Sequence, residues 1–162
     1  MMTQDPVISK ITDGLYIGNS AAAKNCDLLN QFGITAVFNF GSLYKRDQHY
    51  PAMVFDYVLP SQELMDSEIP KTMLKLDSIA EDIHATLAES HRILVVCSDG
   101  KNKSTLAVGY YLIKKASRNL DVVVETLESA YCNSSMDDAA LRTSRALTMA
   151  SFRKVLRLAS KP

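Results

Sequence analysis

Several large classes of protein are excluded by what this sequence has little of. It holds three cysteines, Cys26, Cys97 and Cys132. None stands in a C-x-x-C pair, and an odd number does not suggest a disulfide framework, so a reducing compartment fits best. The three histidines, His49, His84 and His91, share no H-E-x-x-H or H-x-E spacing, so no metal site is expected. No stretch approaches the roughly eighteen uninterrupted apolar residues of a membrane span. The opening Met1-Met2-Thr3-Gln4-Asp5-Pro6 lacks the charged and apolar regions of a secretory signal. Met2 in place of glycine and a terminal Ser160-Lys161-Pro162 leave no myristoylation or prenylation signal. A cytoplasmic protein with no membrane attachment is therefore expected. Eighteen basic and eighteen acidic residues give a formal net charge of zero, which lacks the basic footprint of a nucleic-acid binder. Six glycines and five prolines are too few for collagen-like or low-complexity sequence.

The chain's 162 residues, 47% hydrophobic and 22% charged, suit a soluble protein of one domain, residues 1–162, large enough to bury a core. Charge is uneven along it. Residues 56–89 carry eight acids against two lysines, a balance of −6, whereas residues 139–162 carry six Lys/Arg and no acid. Two solvated helix faces of opposite sign account for this better than a dedicated binding patch does.

Alternating patterns place the elements. Val7 to Ile11 and Leu15 to Ile17 flank Thr12-Asp13-Gly14, which reads as a hairpin. A helix over Ala21–Gln31 should end near Gly33. Ile34–Phe40 and Val54–Leu59 are strand candidates, and Leu76, Ile79, Ile83 and Leu87 mark an amphipathic helix over residues 70–89 with Pro70 in its first turn. Ile93-Leu94-Val95-Val96 is a buried strand, the run Thr105 to Ile113 a buried helix, and Leu120–Ala130 a further helix. Ser135 and Asp138 suggest a capped start to a last helix reaching Ala159. Strands interleaved with helices imply an α/β, three-layer domain, and no internal repeat is visible.

Chemistry concentrates in residues 97–104, Cys-Ser-Asp-Gly-Lys-Asn-Lys-Ser, between the buried strand and the buried helix. Such a loop aims backbone N–H groups and the positive end of a helix dipole at one spot, which suits an anion. Gly100 permits a tight arc, Lys101 and Lys103 add positive charge, and Ser104 offers a hydroxyl beside the Cys97 sulfur. A cysteine at a helix N-terminus is the usual setting for a nucleophilic thiolate, although one ending a core strand serves equally as a small apolar residue.

Ile11 to Asn19, followed by Phe32 to Phe40, resembles the opening of the small dual-specificity protein phosphatases of the cysteine-based phosphatase superfamily. Val95 to Thr105, then Gly109 to Ile113, resembles that family's phosphate-binding loop and following helix. The resemblance runs over residues 7–158 and weakens after Leu127. It implies a three-layer α/β/α fold with a sheet of five strands or so, a phosphorylated protein as substrate or partner, and no cofactor. The family's His-Cys-x5-Arg-Ser/Thr pattern would make Cys97 the nucleophile, Ser104 the hydroxyl that assists breakdown of a phosphocysteine, and Ser98, Asp99, Gly100, Lys101, Asn102 and Lys103 the phosphate-binding loop.

Two positions depart from that pattern: Val96 stands where it has His, and Lys103 where it has Arg. Arginine's planar fork makes two parallel bonds to phosphoryl oxygens, which a lysine point charge does not copy. By analogy with the loss of one preorganised donor, the cost is about 3–4 kcal/mol, roughly a hundred- to a thousandfold in rate. Asp99 opposes both a thiolate and an arriving dianion. The family's general acid corresponds to Asp66 by spacing from the cysteine and to Glu63 by the pattern before the helix, and a solvated loop carboxylate is an equal reading of either. Three functions follow: an impaired phosphatase acting on phosphotyrosine and/or phosphoserine and phosphothreonine, a pseudophosphatase that binds or scaffolds phosphoproteins, and a thiol redox sensor that uses Cys97 without phosphate chemistry; Cys26 and Cys132 read as buried structural thiols ahead of partners that trap an oxidised Cys97.

Overall fold

The computed structural model describes residues 5–41, 48–97, 102–132 and 150–161. Strands β1 (Ile8–Thr12) and β2 (Leu15–Asn19) form the hairpin, followed by helices α1 (Ser20–Lys24) and α2 (Cys26–Phe32), then strands β3 (Ala36–Asn39) and β4 (Met53–Asp56). A turn of 3-10 helix, Asp66–Glu68, leads into α3 (Ile69–Ala88); β5 (Ile93–Cys97), α4 (Lys103–Lys114), α5 (Leu120–Cys132) and α6 (Ala150–Ala159) complete the described elements. The expected final helix is present as α6, and the stretch 135–149 assigned to its start lies outside the described residues.

The five strands make one sheet in the order β1-β2-β5-β3-β4, antiparallel only between β1 and β2. β5 is central, and its Ile93-Leu94-Val95-Val96 run has no polar alternation because helices cover both faces. Ile93, Val95 and Cys97 point, with Leu15, Ile17, Ala36 and Phe38, into the larger core under α3, α4, α5 and α6. Leu94 and Val96 point the other way, with Tyr16 and Val37, against Ala22, Ala23 and Leu29 of α1 and α2. The three layers expected from the sequence are thus present.

One expected helix is two. Asn25 leaves the helical conformation at φ −94°, ψ 93° and turns its side chain to accept the Leu28 N–H at 3.0 Å, so the run Ala21–Gln31 breaks into α1 and α2. A short polar side chain that bonds the backbone ahead of it competes with helix continuation and starts a new helix instead. α2 then ends as expected at Gly33, which takes the left-handed φ of 68°. β3 and β4 are shorter than the apolar runs that announced them: β3 covers Ala36–Asn39, and β4 stops at Asp56 although Leu59 beyond it is buried.

α4 is enclosed, with every residue from Ser104 to Ile113 buried. A Cβ on Gly109 would lie 3.1 Å from Leu127 Cδ1 and 3.2 Å from Leu156 Cδ1, so the missing side chain lets α5 and α6 close onto α4. Tyr110, fully buried, donates its hydroxyl to Asp77 Oδ1 at 2.5 Å and fixes α4 to α3; burial and the carboxylate hold this phenol well above its ordinary titration range. The helix that leads away from the Cys97 loop is therefore anchored on three sides.

Candidate active site

β5 delivers Cys97 to the carboxyl end of the central strand, the edge at which parallel α/β sheets bind ligands. There Cys97 is 2% exposed, with its Sγ 3.2 Å from the Ser104 Oγ. The Ser104 N–H also donates to the sulfur at 3.5 Å. Ser104 lies in the first turn of α4, so the sulfur stands at the positive end of a twelve-residue helix with the N–H and the hydroxyl of one residue turned to it. That turn is closed by Asn102, whose carbonyl oxygen accepts the Leu106 N–H at 2.8 Å and the Thr105 hydroxyl at 2.9 Å. Lys103, half-buried, begins the helix. Ser98, Asp99, Gly100 and Lys101 lie outside the described residues.

Val96 contributes to the opposite core, in a wholly apolar setting shared with Ala22, Ala23 and Leu29. Cys26 begins α2, which packs on that same far side of the sheet, whereas the Cys97 side chain belongs to the α3–α4 side. Neither cysteine is in a disulfide. Cys132 is the last residue of α5.

The two acid candidates have different surroundings. Glu63 accepts the Ala150 N–H at 2.7 Å through one carboxylate oxygen and the Ser151 N–H at 2.8 Å through the other, capping the first turn of α6. The Ser151 hydroxyl, with these N–H groups, holds the Glu63 carboxyl below the usual carboxylate range. Asp66, in the 3-10 turn before α3, is largely exposed and pairs with Lys154 Nζ at 2.7 Å.

Two buried asparagines that sequence reasoning passed over stand at the same strand ends. Asn19, opposite Cys97 in the β2–β5 register, accepts the N–H groups of Val7 and Ala22 at 3.0 Å each and donates to the Asp5 carbonyl. Asn39, opposite Val96, donates to Asp56 Oδ1 at 2.9 Å and accepts the Gly41 N–H. They lock the strand ends beside the cysteine. The signal for Asn19 was present in the sequence, as a capping residue between a strand and an alanine-rich helix. Among the described residues, no three His, Cys, Asp or Glu side chains converge as a metal site would require. No helix among them is long and apolar enough to cross a membrane.

This fold, with a cysteine and a serine joined at the start of the helix after the central strand, is that of the cysteine-based phosphatases. The model of the family "Dual specificity phosphatase, catalytic domain" matches residues 15–148. The chain belongs to that family. It is 29% identical over 125 residues to Dual specificity protein phosphatase 1 of Arabidopsis thaliana, covering 77% of this chain and 61% of the relative. To Dual specificity protein phosphatase 14 of Mus musculus it is 31% identical over 108 residues, covering 65% of this chain and 51% of the relative. The chain thus spans between half and two thirds of the length of these relatives. Its fold is similar to the crystal structure of human DUSP28, with a TM-score of 0.75 at 15% identity over 99% of this chain and 97% of that one.

Proposed function

We propose that this chain hydrolyses phosphate monoesters of proteins, phosphotyrosine and/or phosphoserine and phosphothreonine, slowly and through a phosphocysteine on Cys97, as a single catalytic domain in the cytoplasm. The observation that carries the reading is the Cys97–Ser104 pair at the head of α4. In the first step the Cys97 thiolate attacks phosphorus, the bond from phosphorus to the substrate oxygen breaks, and that oxygen takes a proton from the general acid. In the second, water attacks the phosphocysteine, gives a proton to the same carboxylate, and the phosphorus–sulfur bond breaks to return the thiolate. Ser104 donates to the sulfur as its negative charge returns. Lys103, with residues 98–102, holds the phosphoryl oxygens. Asp66 is the general acid on this reading, because Glu63 gives both of its carboxylate oxygens to the N–H groups that open α6, whereas the Asp66 bond to Lys154 uses one oxygen, Oδ1.

The test is steady-state hydrolysis of p-nitrophenyl phosphate under reducing conditions by the wild type, Cys97→Ser and Lys103→Arg. Activity that Cys97→Ser abolishes and Lys103→Arg raises supports the proposal. A second reading, a pseudophosphatase that binds phosphoproteins without turning them over, is favoured by Val96 and Lys103 standing where the family pattern has His and Arg. It predicts no activity in either the wild type or Lys103→Arg.

A further inference from the structure

The segment from Pro60 to Met65 belongs to no helix or strand, so its position depends on contacts made elsewhere. Met65 bonds to Glu68 in the turn that follows, and the contacts of Glu63 and Leu64 reach α6, far along the chain. The Leu64 N–H donates to Ser151 Oγ at 2.9 Å, while the Leu64 side chain is buried. Glu63 spans the N–H groups of Ala150 and Ser151, and Asp66 meets Lys154. Ser151 and Lys154 are three residues apart, hence on one face of the helix. The other face of α6, with Phe152, Val155, Leu156 and Ala159, is buried in the core that also holds α4, and Leu156 lies against Gly109. α6 therefore touches both the segment bearing Asp66 and the helix bearing Ser104.

From this geometry, and resting on the phosphatase reading above, we infer that α6 is the mount that sets the acid segment relative to the nucleophile, with Ser151 and Lys154 as positioning residues for Asp66. Ser151 fixes the backbone two residues before Asp66. Lys154 fixes the direction of the carboxyl group. Neither residue touches substrate; both act through Asp66.

The effect is selective by leaving group. A poor leaving group such as phenoxide needs the proton, whereas dinitrophenoxide leaves almost unaided. In the Lys103→Arg background, Ser151→Ala and Lys154→Met are each expected to lower kcat on phenyl phosphate roughly tenfold, a fraction of what a general acid supplies. On dinitrophenyl phosphate they change it by no more than about twofold. Lys154→Arg and Ser151→Thr should restore the loss, and neither Ser151→Ala nor Lys154→Met should add to Asp66→Asn. Equal losses on both substrates, or a further loss on top of Asp66→Asn, would overturn the inference. Amide hydrogen exchange reads the mount without activity. Exchange at Leu64 should accelerate about tenfold in Ser151→Ala as its acceptor is lost, and unchanged exchange there overturns the inference. A protein with no Cys97-dependent hydrolysis would instead refute the phosphatase reading, leaving the exchange result to decide the mount on its own.

Discussion

Ser104→Ala removes the hydroxyl that lies 3.2 Å from the Cys97 sulfur and leaves the Ser104 N–H at 3.5 Å as the donor this residue retains. The two chemical steps should respond differently. In the attack on phosphorus the sulfur loses negative charge, so a missing donor does not raise the barrier for the thiolate. When water releases phosphate, the sulfur regains that charge and the missing donor is felt in full. A hydrogen bond to a charged group is worth about 1.5–3 kcal/mol, which corresponds to roughly a ten- to hundredfold slower second step. Dephosphorylation then becomes rate-limiting, and rapid mixing with p-nitrophenyl phosphate should show a burst of nitrophenolate close to one per enzyme, followed by a slow steady state. The residue is fully buried, and its truncation should cost about 1 kcal/mol of stability, which urea unfolding of the same preparation checks. A steady-state loss with no burst would refute the reasoning, because both steps would then have slowed together. So would an unchanged rate.

Four further outcomes follow from the packing around the site. Tyr110→Phe deletes the hydroxyl held by Asp77 and should lower stability by about 1–3 kcal/mol, seen as a shift in urea midpoint at constant slope. Gly109→Val forces methyl groups against Leu127 and Leu156 and should cost about 1–3 kcal/mol. Gly109→Ala, which meets only the ends of those leucines, should stay within about 1 kcal/mol of the wild type, since it regains helix propensity. Glu63 has its folded-state carboxyl held below the usual value, so its contribution to stability is present above the unfolded value and is lost as pH falls through the folded one. The stability difference between the wild type and Glu63→Gln should therefore be full at neutral pH and shrink on acidification below the ordinary glutamate range, as urea unfolding across that range will read.

Much of the sheet was legible because local pattern and tertiary role agree there. Ile93 to Val96 is apolar without alternation because both faces are covered, and a strand running through a polar loop into a buried helix brings Cys97 and Ser104 together in the sequence pattern itself. The break at Asn25 was hidden by the apolar positions on either side, Ala22 and Ala23 before it and Leu29 after it, which keep helical spacing across the gap. The roles of Glu63 and Asp66 could not be read from neighbours in sequence, since their partners on α6 stand eighty-seven and eighty-eight positions away. For the same reason the opposed charges of residues 56–89 and 139–162, read as two solvated faces, meet in part as the Asp66–Lys154 pair. That contact belongs to the fold and has no local signature.

The central claim is that phosphate leaves its substrate by way of the Cys97 sulfur. Acid quenching of Ser104→Ala during turnover of a radiolabelled aryl phosphate, followed by peptide mapping, tests it most directly. The account predicts label on the peptide carrying Cys97, acid-stable as a thiophosphate ester is, and none in the Cys97→Ser protein. Label on another residue, or turnover with no labelled protein at any time, would contradict it.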